Sequence, residues 1–119
     1  MADLSPRMLA NVADYFKVLS EVSRLQILCE LRTGGKNVSE IMQATGMGQA
    51  NLSKHLKVLT QAGIVSRQPR GVNVFYEITD PVCLEICEIV CQQLIAQISQ
   101  QYQQWQGIHS LGEAPQKAL

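Results

Sequence analysis

The sequence contains no acidic residue between Ile41 and Tyr76. It has two histidines, one tryptophan and an aromatic share of only 5%. No unbroken apolar run approaches the ~18–20 residues of a membrane span, which predicts a chain with no membrane partner. The start, Met1-Ala2-Asp3-Leu4-Ser5-Pro6, carries neither a basic nor an apolar region, so no export signal is expected. Four cysteines without such a signal point to the cytoplasm, where thiols stay reduced, and away from a secreted disulfide scaffold. A phosphate-binding glycine loop, a nucleophile–base pair and a catalytic metal signature are also missing, so neither enzymatic activity nor a resident cofactor is expected. What is present is 119 residues, 46% of them hydrophobic. That suffices for one core, and the sequence reads as a domain over 1–106 with a loose tail over 107–119.

The net charge is zero, but its distribution is uneven. Residues 1–40 balance five acids against five bases, whereas residues 41–76 hold Lys54, Lys57, Arg67 and Arg70 with no acid. Residues 77–113 carry Glu77, Asp80, Glu85, Glu88 and Glu113 with no base. A neutral chain with one wholly basic segment has a localised field, which suits a polyanion.

Hydrophobic spacing orders the elements. Ser5-Pro6 predicts a capped first helix with Leu9, Val12, Ala13, Phe16 and Leu19 on one face. A second helix is expected from Val22 to Arg32, with Leu25, Leu28 and Leu31 inward and Gly34-Gly35 as its stop. Asn37-Val38-Ser39-Glu40 reads as a capping box opening a short helix that ends near Gly46. A fourth helix follows from Gln49 to Ala62, with Leu52, Leu56 and Leu59 inward and His55 partly buried. Then the period changes to two. Ile64–Arg67 and the alternating Val72, Val74, Tyr76 and Ile78 predict a hairpin turning at Gln68–Gly71. Asp80-Pro81 caps a last helix whose apolar face is wide enough to pack on its own domain and on a second subunit. Eight glutamines between Gln92 and Gln106, interrupted by Tyr102 and Trp105, read as a solvated continuation of that helix.

Three helices, a glycine turn, a fourth helix and a hairpin form the layout of a mainly α winged helix-turn-helix with a β-hairpin wing, here with long helices added at both ends. The fourth helix would enter the major groove of operator DNA. On its outer face Gln49 and Asn51 suit adenine, Lys54 suits guanine, and Ser53 and Lys57 suit phosphates, with Ala50 beside them. Arg67 and Arg70 on the hairpin would follow the DNA backbone or a minor groove. A winged-helix module that binds protein rather than DNA is the rival class.

At these residues the chain resembles the ArsR/SmtB family of bacterial winged-helix repressors. Leu19-Ser20-Glu21-Val22-Ser23-Arg24-Leu25-Gln26-Ile27-Leu28 is similar to its second-helix signature. Gly48-Gln49-Ala50-Asn51-Leu52-Ser53-Lys54-His55-Leu56-Lys57-Val58-Leu59, with Ala62-Gly63-Ile64-Val65, resembles its recognition-helix signature, and Val74-Phe75-Tyr76 its wing. The resemblance spans about residues 8–95. It implies a cytoplasmic homodimer on a near-palindromic operator, released by a small inducer. The family's usual metal sites are not matched. The stretch Asn37-Val38-Ser39-Glu40-Ile41 offers no Cys-x-Cys, and Asp80 is followed by Val82, Gln93 and Ala96 where the other ligands would stand, so no metal site is expected.

The thiols leave the inducer open. Cys83, Cys87 and Cys91 recur every fourth residue, adjacent members about 6 Å apart along the helix. Cysteine also serves as a small apolar core residue. Arg24-Leu25-Gln26-Ile27-Leu28-Cys29 resembles the second helix of relatives that sense oxidants or reactive sulfur by linking that cysteine to one on the last helix. That likeness implies a pairing of Cys29 with Cys91, although those relatives place the second thiol one turn later, where Ile95 stands. A thiophilic metalloid such as arsenite, held by Cys83, Cys87 and Cys91, is the alternative inducer.

Overall fold

Ser5 opens the chain's first helix by accepting the Met8 amide on its Oγ at 3.1 Å. Pro6 occupies the first helical position, where a missing N–H costs nothing. In the computed structural model, which describes residues 4–109, this helix is α1, Pro6–Leu19. The Glu21 carboxylate caps α2, Val22–Glu30, by accepting the Ser23 amide at 2.9 Å. Contrary to the expected span to Arg32, α2 ends at Glu30 and tightens into a 3₁₀ turn over Leu31–Thr33. Gly34, at φ 140°, takes the backbone where other residues rarely go. Leu25 is also not inward. It is 36% exposed, at the margin of the face that Ile27, Leu28 and Leu31 bury.

The capping box forms as the sequence predicts. Asn37 Oδ1 accepts the Glu40 amide at 2.8 Å and Glu40 Oε1 accepts the Asn37 amide at 2.9 Å, which starts α3, Val38–Thr45. Gly46, left-handed at φ 76°, ends it. Then α4 runs Gln49–Gln61.

The hairpin differs from expectation. Strands β2, Val65–Arg70, and β3, Asn73–Ile78, pair from Val65↔Ile78 to Arg70↔Asn73. The turn is therefore Gly71-Val72, not Gln68–Gly71, and Val72 lies in the turn rather than the return strand. Pro69 sits within β2, opposite Val74. That is tolerable because β2 is an edge strand, where the absent N–H interrupts no second ladder. The other edge is a short strand that the hydrophobic spacing does not predict. Lys36-Asn37 pairs with Tyr76 and Phe75 of β3. With this strand as β1, for its place before α3, the sheet order is β1-β3-β2.

One core binds these elements: Leu19, Ile27, Leu28, Leu31, Ile41, Leu52, Leu56, Leu59, Ile64, Val65 and Cys83 are all buried. The apolar face of α1 buries Leu19 but leaves Leu9 at 49%, Val12 at 37% and Phe16 at 50% exposure. The last helix, α5, runs Val82–His109, so Gly107-Ile108-His109, expected in the tail, are helical. Residues 110–119 lie outside the described part. By composition and length α5 is apolar enough to cross a membrane. Glutamines and two glutamates interrupt its apolar residues, so the helix contains no unbroken apolar run of spanning length. The chain divides into two units, one ending at Leu84 and one starting at Glu85. In the second, Ile89, Val90, Leu94, Ile95 and Ile98 are exposed. There Tyr102 and Trp105 stack at 6.4 Å, and Gln106 donates to the Tyr102 hydroxyl at 3.0 Å.

Candidate nucleic-acid interface

At 3.6 residues per turn, α4 separates cleanly into two faces. Leu52, His55, Leu56 and Leu59 are buried, and Gln49, Ala50, Asn51, Ser53, Lys54 and Lys57 are all exposed. Ala50, Ser53, Lys54 and Lys57 point most directly away from the core, with Gln49 and Asn51 flanking them in the first turn. Gly48 caps the helix without a side-chain bond, so the first-turn amides face outward with no competing carboxylate.

The wing meets this surface on one side. Arg67 lies opposite Tyr76 across the hairpin. Both line a shallow cleft of about 210 Å³ together with Ser53, Lys57 and Gln61 of α4. Two cations distant in sequence, Lys57 and Arg67, thus border one depression.

Arg70 lies on the other face of the hairpin. Its guanidinium sits 5.3 Å over the Phe75 ring and 3.6 Å from Glu77 Oε2. The basic block was bounded at Tyr76, one residue short of the acid that the return strand brings back to Arg70. Its charge is therefore partly compensated, unlike those of Lys54, Lys57 and Arg67, for which no ion pair is present among the described residues.

Beneath the exposed face lies the buried polar centre of the helix. His55 is 5% exposed. Its Nδ1 is 3.4 Å from an Arg24 Nη and its Nε2 is 3.8 Å from Glu21 Oε2. Arg24 also donates from Nε to the Val18 carbonyl at 2.6 Å and from its other Nη to the Lys17 carbonyl at 3.3 Å. The Glu21 carboxyl is held below the ordinary carboxylate value chiefly by the Ser23 N–H; burial opposes the shift, and the Arg24 guanidinium adds to it. Glu21 and Arg24 drew no notice as polar partners in the sequence, because their contact with His55 spans about thirty residues.

The four thiols differ in access. Cys29 and Cys91 are exposed, Cys87 is half-buried, and Cys83 is wholly buried in the core with Sγ 3.7 Å from the Asp80 carbonyl. Among the described residues no three His, Cys, Asp or Glu side chains converge as metal ligands.

Comparison with known proteins adds the following. A family model described as bacterial regulatory protein, arsR family, matches residues 21–67. The chain is 34% identical over 90 residues to the biofilm growth-associated repressor of Xylella fastidiosa, covering 76% of this chain and 79% of that protein. It is 31% identical over 84 residues to the arsenical resistance operon repressor of Bacillus subtilis, covering 67% and 77%. Among solved structures, a homodimeric winged helix-turn-helix DNA-binding domain from Mycobacterium bovis, described as a possible ArsR-family regulator, superposes with a TM-score of 0.67. It is 31% identical and covers 86% of this chain and 95% of that one.

Proposed function

The chain belongs to the arsR family of bacterial regulatory proteins and is a transcriptional repressor of that type. From that premise we propose that it works as a cytoplasmic homodimer on operator DNA, with an inducer acting on its exposed thiols. The observation that carries the DNA reading is the outer face of α4, where Lys54 and Lys57 have no paired acid and Lys57 shares a cleft with Arg67 of the wing. Gln49 and Asn51 read base edges, Ser53, Lys54 and Lys57 hold phosphate and guanine, and Ala50 lets the helix approach closely. In this reading the domain over 1–106 carries both the reading head and the dimer contacts. A protein-binding module would not need an outer face bare of acids.

The inducer acts through Cys29 and Cys91, because reaction with an oxidant or reactive sulfur requires access and both are exposed. Cys83, wholly buried, serves the core instead. A second reading, a thiophilic metalloid on Cys87 and Cys91, is favoured by the likeness to an arsenical resistance repressor. These two thiols are one helical turn apart, and soft ions select thiolates.

A gel shift with the gene's own upstream DNA tests the first part. Lys54→Ala and Lys57→Ala should each weaken binding and reduce the salt slope by about one, since each phosphate contact releases counterions. Gln49→Ala should instead relax base preference at one position, by about 1–3 kcal/mol. Unchanged binding in all three removes the DNA assignment. For the inducer, persulfide, peroxide and arsenite are added to the bound complex of wild type, Cys29→Ser, Cys91→Ser and Cys87→Ser. Release lost in the first two mutants supports the oxidative reading. Release by arsenite alone, lost in Cys87→Ser, supports the metalloid.

A further inference from the structure

We propose that Arg24 is a positioning residue for DNA reading. It ties the recognition helix α4, through Nδ1 of His55, to the end of helix α1. This inference deepens the operator-binding function proposed above and rests on it.

The argument begins with hydrogen-bonding capacity. A guanidinium only donates. The Arg24 Nη 3.4 Å from His55 Nδ1 therefore requires Nδ1 to be the acceptor, which places the ring proton on Nε2. That nitrogen faces Glu21 Oε2 at 3.8 Å, where an N–H meets a carboxylate. His55 thus takes one tautomer through Arg24 of α2, with the carboxylate of Glu21, the N-cap of α2, on its other side.

The rest of Arg24 is committed to α1. Its Nε and second Nη donate to the carbonyls of Val18 and Lys17 at 2.6 and 3.3 Å, in the last turn of that helix. One planar side chain therefore joins the end of α1, the start of α2 and the middle of α4. A lysine has a single nitrogen and cannot span the three acceptors.

Position gives this junction its consequence. His55 is the only buried polar side chain among the described residues. It adjoins Lys54 in sequence and lies one turn from Asn51, both on the outer face. The leucines beside it make non-directional contacts, whereas a hydrogen bond also constrains direction. The bond also makes α4 follow the end of α1, the helix whose apolar side is left exposed for a second copy in the proposed dimer.

The test uses the full chain with Arg24→Lys and three variants at His55, reading operator affinity and melting temperature together. An asparagine amide oxygen sits near the Nδ1 position, whereas a glutamine reaches the Nε2 position. His55→Asn should therefore bind within about threefold of wild type. His55→Gln, His55→Leu and Arg24→Lys should bind at least tenfold more weakly while remaining folded. A purely structural histidine would give a different order, because leucine would then be the best replacement. ¹⁵N spectra of the wild-type imidazole should show the Nε2–H tautomer, a reading that needs no DNA and no mutant. Wild-type affinity in Arg24→Lys or His55→Leu, asparagine no better than leucine, or an Nδ1–H tautomer would each overturn the proposal. If the wild type binds no upstream DNA, the repressor function fails first, and the tautomer still decides whether the Arg24 bond exists.

Discussion

Glu77 illustrates what a residue's neighbours in space do to a charge counted along a sequence. The basic block from Ile41 to Tyr76 was legible, and three of its four cations stand exposed without an ion pair among the described residues. The fourth, Arg70, is 3.6 Å from Glu77, a pairing visible only once the hairpin register is known. Exposed ion pairs contribute about 0–1 kcal/mol, so breaking this one should do little to the fold while releasing a cation for phosphate. Glu77→Gln is expected to bind operator up to about fivefold more tightly at low salt, with a salt slope steeper by up to about one; fluorescence anisotropy across a salt series checks both. At Glu21 the effect is on stability. Its carboxyl is lowered below 4.5, first by the Ser23 N–H, so the unfolded chain binds that proton more readily. The stabilisation is present above the unfolded value and is lost as pH falls through the folded one. Glu21→Gln should therefore lie furthest below wild type in stability at neutral pH. The gap should narrow as pH falls through the lowered folded value, as measured by urea unfolding at stepped pH.

At the scale of elements, the features that were legible are those whose cause is local. Ser5-Pro6 and Asn37–Glu40 carry their hydrogen-bond partners within three residues, and both caps form at the predicted places. The leucines of α4 are buried as their spacing requires. Features that depend on distant partners were not legible. The short strand Lys36-Asn37 exists only because β3 lies beside it, and Pro69 enters a strand only because β2 is an edge. The recognition surface was thus readable as a list of residues, whereas the cleft joining Lys57 to Arg67 depended on the hairpin's register. Asn37 has two roles, N-cap of α3 and partner of Phe75. Asn37→Ala should cost about 1 kcal/mol, the usual loss of a cap, because the strand pairing uses only backbone. Leu59→Ala, at a position with no exposure, should cost about 2–5 kcal/mol. Chemical denaturation of the two variants should separate them clearly, and equal losses would mean that the box does more than cap.

At the scale of the whole molecule, two helices expose large apolar side chains to water. Met8, Leu9, Val12 and Phe16 of α1 are 37–50% exposed, and Ile89, Val90, Leu94, Ile95 and Ile98 of α5 are 49–67% exposed. Fully covering one such side chain contributes about 1.5–3 kcal/mol, so even partial cover of nine is a large driving force for association. A second copy is the occupant that also serves DNA reading, since two recognition helices would then meet major grooves about 34 Å apart. Wild type should sediment as a dimer at micromolar concentration. Leu94→Glu and Ile98→Glu place charges on a face that is already solvated in the single chain, so each should keep its helical circular dichroism and sediment as a monomer. Operator affinity should then fall by about 10²–10⁴, because linked binding to two half-sites is lost, while single half-site affinity stays unchanged. A wild-type monomer, or glutamate variants that remain dimeric, would show that these faces are covered by something other than a second copy.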